Sequence, residues 1–293
     1  MQPMPEQRTA PLSIRKRIDD YIADADFLPP AFQLLPRLLL LLDDLESSAE
    51  TLAEVVRVDP GLTADILRVC NSAAYAHTYR AETIQDAILR LGFVEVHRIV
   101  MTVIASSALK SPHEAYAMHE ADLWKHSLAC AVSSKEVVQG SGIDPEVAYT
   151  TSLLHDVGKA VLANAVPEQF TAATAAAREK GQPLFETERA LFQTEHATIG
   201  ARLLHRWGFP ANICAAVQFH HNPAAAGDHV RLASCVYLAN ILAYRVAEPL
   251  TFPRYVVFPE TKPLRELGFT QPAFEALAPE ARREFQSFIE KFR

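Results

Sequence analysis

The chain has 293 residues, of which 49% are hydrophobic and 22% charged, a composition that supports a sizeable buried core and excludes a disordered chain. Its formal net charge is −7 and its pI about 5.9, which excludes a broad basic footprint for DNA or RNA. The longest apolar runs, 38–42 and 99–105, fall far short of the ~20 residues of a membrane helix, and the polar, proline-containing start carries no secretory signal, so a cytoplasmic location is expected.

Apolar residues recur at three- and four-residue spacing along most of the chain, and Gly is rare at 10 residues, a pattern that predicts an all-α fold. A first helix is expected over 15–25. A second follows Leu28-Pro29-Pro30 and runs through the leucines at 38–42 to Leu45, and a third opens near Ser48. Asp59-Pro60 reads as an N-cap followed by Pro at the first helical position, heading a helix that carries Leu62, Ile66, Leu67 and Val69 and ends near Asn71-Ser72. The next helix holds Ile84, Ala87, Ile88 and Leu91, with Gly92 placed to cap its C-terminus, and the last helix of the first half covers 94–109. Consecutive leucines point to every side of a helix, so the segment 34–42 is either central or meets a partner or a second copy. The polar join 110–121, which contains Pro112, predicts a seam between two lobes. The expected organisation is an N-terminal extension and first helix over 1–26, an N-terminal helical lobe over 27–110, a second helical lobe over 120–245, and a tail over 246–293 packed on both. The tail holds a short β-like run at 255–258 and an amphipathic helix with Phe285, Phe288, Ile289 and Phe292.

The chemistry gathers in the second half. Of 11 histidines, five form an ordered pattern with one aspartate. His126 lies in Leu-Trp-Lys-His-Ser, His155-Asp156 in Ser-Leu-Leu-His-Asp-Val-Gly-Lys, His196 in Thr-Glu-His-Ala-Thr-Ile-Gly, and His220-His221 after Ala-Val-Gln-Phe. Neutral imidazole suits borderline metals, while a carboxylate adds negative charge and can bridge two ions. Two such ions ~3.5–4 Å apart can hold a phosphate and activate a water. Neighbours on one helix diverge by about 100°, so His155 and Asp156 are expected to face adjacent positions of one site. The same side chains can instead satisfy one another as a hydrogen-bonded cluster without metal. The other histidines (His77, His97, His113, His119, His205, His229) read as core or surface residues. Cys70, Cys130, Cys214 and Cys235 form no C-x-x-C pair and read as small core residues. Val147, Thr151, Leu154, Gly158 and Val161 recur at helical spacing and predict one inward stripe on a helix running through His155-Asp156. Gly158 inside it, which costs ~1 kcal/mol relative to Ala, predicts close approach of another helix or a ligand. No phosphate-binding Gly-rich loop or G-x-S-x-G motif is present.

The order His … His-Asp … His … His-His resembles the HD superfamily of metal-dependent phosphohydrolases and their degenerate relatives. Within it the chain resembles the HDOD family, through Leu28-Pro29-Pro30, Asp59-Pro60-Gly61-Leu62, Leu67-Arg68-Val69-Cys70-Asn71-Ser72-Ala73-Ala74-Tyr75, Ile84-Gln85-Asp86-Ala87-Ile88, His196-Ala197-Thr198-Ile199-Gly200-Ala201, and the stretch 204–210 with Trp207. The resemblance implies a first metal position built from His126, His155, Asp156 and the residue at 240, and a second built from Asp156, His196, His220 and His221. It makes Asp156 and Lys159 the candidate catalytic residues, Lys159 contacting a phosphate or bridging water in catalytic relatives. Two departures qualify it. HD hydrolases carry an Asp where Tyr237-Leu238-Ala239-Asn240 places Asn240, and the Gly-Tyr-Pro signature of cyclic-di-GMP hydrolases is replaced by Asn222-Pro223-Ala224-Ala225-Ala226-Gly227. With Asp156 as the only motif carboxylate, the remaining charge must be balanced by hydroxide, phosphate or nearby acids such as Glu195. One divalent ion (iron, manganese, zinc or magnesium) is therefore expected rather than two. The implied function is a bacterial signal-transduction module, non-enzymatic, acting through a protein partner at the N-terminal lobe and binding metal or a nucleotide. The alternative is a metal-dependent phosphohydrolase acting on a nucleotide or cyclic dinucleotide, and a third reading is an iron-containing redox or oxygen sensor.

Overall fold

The computed structural model describes residues 10–23, 30–43, 49–57, 59–75, 80–109, 122–247 and 259–292. Among them the fold is all-α, with no strand. The first half comprises α1 (Ala10–Ala23), α2 (Leu35–Asp43), α3 (Ala49–Val56), α4 (Pro60–Cys70), α5 (Ile84–Leu91) and α6 (Phe93–Leu109). The second half comprises α7 (Asp122–Val137), α8 (Pro145–Leu154), α9 (Val157–Ala165), α10 (Pro167–Lys180), α11 (Leu184–Phe192), α12 (His196–Arg206), α13 (Ala211–Gln218) and α14 (Val230–Val246). The chain closes with α15 (Thr261–Glu266), α16 (Gln271–Glu275) and α17 (Ala278–Glu290). The expected seam at 110–121 and the β-like run at 255–258 lie outside the described residues.

Local chemistry sets the helix ends of the first half. The Asp59 carboxylate accepts from the backbone N–H groups of Gly61 and Leu62 at 2.8 and 3.1 Å, satisfying donors that the first turn of α4 leaves open. Thr83 and Asp86 form a reciprocal capping box at the start of α5, and Gly92, at φ 84°, ends that helix in a conformation open to glycine. Asn71, just past α4, clamps the returning chain: its amide donates to the Ala81 carbonyl and accepts from the Ala81 N–H, both at 2.8 Å. On α2, Leu38, Leu39 and Leu41 are buried while Leu40 is 60% exposed, so this helix is central with one side open.

The larger apolar core is continuous through the two halves, from Ile18 on α1 to Phe288 on α17. A second cluster gathers α7, α8, α14, α15 and α16 around Val236, Leu238 and Phe274. Polar bonds reinforce the junction. Arg98 on α6 pairs with Glu146 on α8, the Thr102 and Tyr149 hydroxyls share a buried hydrogen bond of 2.7 Å, and Lys291 beyond α17 pairs with Glu95 on α6 at 3.0 Å.

The expected helix through His155-Asp156 is two helices. α8 ends at Leu154 and α9 starts at Val157, and Asp156, at φ −100° and ψ 8°, sits in the turn between them. The stripe residues Thr151, Leu154 and Val161 are buried as anticipated and Val147 is half-buried, but they belong to two elements that meet at the site.

Candidate metal centre

His126, His155, Asp156, His196, His220 and His221 converge in the second half, all buried except His221, which is partly so. They arrive from four places: α7 supplies His126, the α8–α9 turn supplies His155 and Asp156, the first residue of α12 is His196, and His220-His221 follows α13. A glycine crossing makes the convergence possible. A Cβ on Gly158 would collide with the His196 carbonyl oxygen and come within 2.7 Å of the Gly200 nitrogen. The two bare backbones therefore touch, and α9 meets α12 closely enough for Asp156 to reach His196.

Asp156 divides the cluster into two halves. Its Oδ2 faces Nε2 of His126 at 3.6 Å and of His155 at 3.3 Å. Its Oδ1 faces Nε2 of His196 at 3.2 Å and of His220 at 3.9 Å. Two trios have ligand atoms close enough together to hold a metal ion: His126, His155 and Asp156 in one, His196, His220 and His221 in the other. Oδ1 of Asp156 and Nε2 of His220 are buried without a hydrogen-bond partner. Converging acceptor atoms left unsatisfied in a buried site are what a divalent ion would satisfy, so the residues present fit one.

The outer partners fix the rings. Nδ1 of His155 lies 2.7 Å from the Ser152 carbonyl and Nδ1 of His220 lies 2.7 Å from the Val217 carbonyl. A carbonyl only accepts, so Nδ1 carries the proton in both and Nε2 turns to the centre. Glu188 on α11 does the same for His196, accepting from its Nδ1 at 2.6 Å and from its backbone N–H at 2.9 Å. His221 then donates from Nε2 to Nε2 of His196 at 2.9 Å, with Phe185 stacked on its other face at 4.2 Å. Such second partners orient ligands and raise their basicity.

Electrostatics separate the rings further. Burial drives the pKa of His126 down to about 3, against the pull of Asp156, and holds His220 and His221 well below the usual range. Burial also opposes charge on His155, yet Asp156 and Cys130 lift it to about 10. Asp156 itself is buried, but His155 and Lys159 keep it ionised well below the ordinary carboxylate range. Lys159 is 5% exposed, and its Nζ lies 2.6 Å from Asp156 Oδ2.

Asn240, half-buried on α14, lies beside His126, with its carbonyl oxygen buried. Glu195 pairs with Arg189 at 2.7 Å. Glu188 and Phe185 escaped the sequence reading, because Phe-Glu-Thr-Glu-Arg reads as an ordinary charged helix face. The four cysteines are buried and unpaired, as the composition implied. Of the other histidines, His97 is a core residue and His205 is exposed, while His77, His113 and His119 lie outside the described residues.

Residues 28–223 match the HDOD domain. The chain belongs to the HDOD family. Its fold is shared with an HDOD protein of unknown function from Geobacter sulfurreducens, at 21% identity and TM-score 0.76 over 96% of this chain and 99% of that one. A candidate phosphohydrolase from Shewanella amazonensis aligns at 23% identity and TM-score 0.70 over 94% and 97%. A candidate signal transduction protein from Marinobacter aquaeolei aligns at 23% and 0.75 over 95% and 64%. Identities this low carry the fold alone. Among curated proteins, an uncharacterized protein of Treponema pallidum is 28% identical over 235 residues, 78% of this chain and 43% of that protein. Ribonuclease Y of Petrotoga mobilis is 23% identical over 144 residues, 49% of this chain and 22% of that protein. The chain thus spans less than half the length of the curated relatives it matches. Among the described residues, no helix is long and apolar enough to cross a membrane.

Proposed function

We propose that this HDOD protein is a non-enzymatic signalling module whose HD-type centre binds one divalent ion and does not turn over phosphodiesters. The observation that carries the reading is Asn240 beside His126: where a phosphohydrolase of this pattern has a second acid, the first position offers a neutral amide. Asp156 is then the one carboxylate that faces the histidines of both trios, and a single negative charge is too little to hold two divalent ions in a buried site. The second position keeps His196, His220, His221 and Asp156 Oδ1, and Glu188 tunes it. A bound ion there would supply charge for an anionic ligand such as a nucleotide phosphate, and output would pass to a protein partner through the helical first half, where Leu40 is exposed.

The phosphohydrolase alternative keeps one supporting observation, two adjacent trios with Asp156 of the first facing His196 of the second at 3.2 Å. A single assay separates the readings. Tag-free protein supplied with Mn(II) is tested against cyclic dinucleotides and a generic phosphodiester. The expected result is no turnover above that of His155→Ala; robust turnover by the native chain, abolished in His155→Ala, overturns the proposal and installs the hydrolase.

A further inference from the structure

Asp156 is buried among imidazoles at the position where Asn240 stands in place of an acid. We propose that Lys159 is the resident cation of the first position, its ammonium holding the Asp156 oxygen that a metal ion bound by His126, His155 and Asp156 would need. This deepens the reading of the centre as a degenerate HD site and rests on it.

The geometry is specific to one oxygen. Nζ lies 2.6 Å from Oδ2 of Asp156, the oxygen that His126 and His155 face. Oδ1, on the side of His196 and His220, has no hydrogen-bond partner. Both partners of the ion pair are buried, so neither can exchange its contact for water. A metal contact to a carboxylate oxygen is ~2.0–2.2 Å. An ammonium already hydrogen-bonded to that oxygen competes for the same lone pairs, and its charge repels a dication strongly where water is excluded. The lysine is also reached locally: Asp156 precedes α9 and Lys159 stands in its first turn, three residues on, so the pair closes within one turn. The amide at 240 and the ammonium at 159 are thus consistent with each other. With an amide at 240, the first position holds the single carboxylate of Asp156, and its Oδ2 is already taken by the ammonium of Lys159. Only the second position is left to a metal.

The test counts metal equivalents and measures metal-free stability on the full chain, stripped with a chelator and titrated with Mn(II). Native protein and Asn240→Asp should bind the same number of equivalents, because restoring the acid does not evict Lys159. Lys159→Met/Asn240→Asp should bind one more. Lys159→Met, with Asp156 buried and its ammonium partner removed, should melt roughly 10 °C lower in chelator and recover with Mn(II), whereas Lys159→Arg should melt near the native value in chelator. An extra equivalent in Asn240→Asp with Lys159 in place would overturn the assignment, as would a folded double variant that gains none. If the methionine variants do not fold, Asn240→Asp alone decides by the same count. Phosphodiester turnover by the native chain would sink the proposed function without altering this count, so the two failures remain distinct.

Discussion

At the scale of single residues, the centre is organised by atoms one step removed from it. Nδ1 of His155, His196 and His220 is tied to Ser152, Glu188 and Val217 in turn, so three rings present Nε2 inward before any ion arrives. The carbonyl partners come from each histidine's own helix end and cannot be mutated away, but Glu188 can. Replacing Glu188 with Ala frees His196 to rotate and to change tautomer. Mn(II) affinity at the second position should fall about 10- to 100-fold, read by calorimetric titration, with the far-UV spectrum unchanged. Equal affinity in the variant would show that packing alone orients His196. The five histidines and Asp156 were legible in the sequence because residue type and order carry their chemistry. Glu188 was not, since only the fold of α11 over α12 brings it to a histidine eight residues away. Lys159 was legible as a residue of interest, but its burial and its pairing with Asp156 are products of the α8–α9 break.

At the scale of elements, the site depends on one helix crossing. Gly158 of α9 and Gly200 of α12 meet backbone to backbone, and a methyl group at Gly158 would meet main-chain atoms of both His196 and Gly200. Main chain within a helix cannot step aside as a side chain can. Gly158→Ala should therefore destabilise the protein by about 3 kcal/mol or more and lower metal binding as well, whereas Gly200→Ala, whose Cβ would sit 3.1 Å from the Gly158 nitrogen and 3.2 Å from Val157 Cγ1, should cost less. Thermal denaturation of both variants checks the order, and a neutral Gly158→Ala would mean the helices separate without penalty. The sequence foretold this contact from the cost of glycine in a helix, and it foretold the caps at Asp59 and Gly92 because capping is local chemistry. It missed the break at His155-Asp156, which no Gly or Pro marks. There the chain follows the needs of two buried side chains rather than its own propensity.

At the scale of the whole molecule, burial of neutral imidazole ties stability to pH. His97 on α6 donates from Nε2 to the Leu38 carbonyl on α2 at 2.7 Å, joining two helices of the first half far along the chain from each other. Its Nδ1 is buried without a partner, and burial together with nearby Arg98 lowers its pKa from 6.5 to about 4. The sign follows from linkage. Between those two values the unfolded chain binds a proton that the native state refuses, so stability is intact above pH 6.5 and is lost as pH falls toward 4. At pH 5 the loss from this one ring is about 2 kcal/mol. His126, His220 and His221 are also held neutral by burial and push in the same direction, but they are common to any variant at His97 and cancel in a comparison. His97→Gln keeps a donor for Leu38 and removes the titration. Urea unfolding of both proteins at pH 7 and pH 5 should show the native chain losing about 2 kcal/mol more than the variant over that interval. An identical acid loss in the two would mean that His97 takes up its proton in the folded protein as readily as in the unfolded chain, and that the α2–α6 junction opens to water well before the core does.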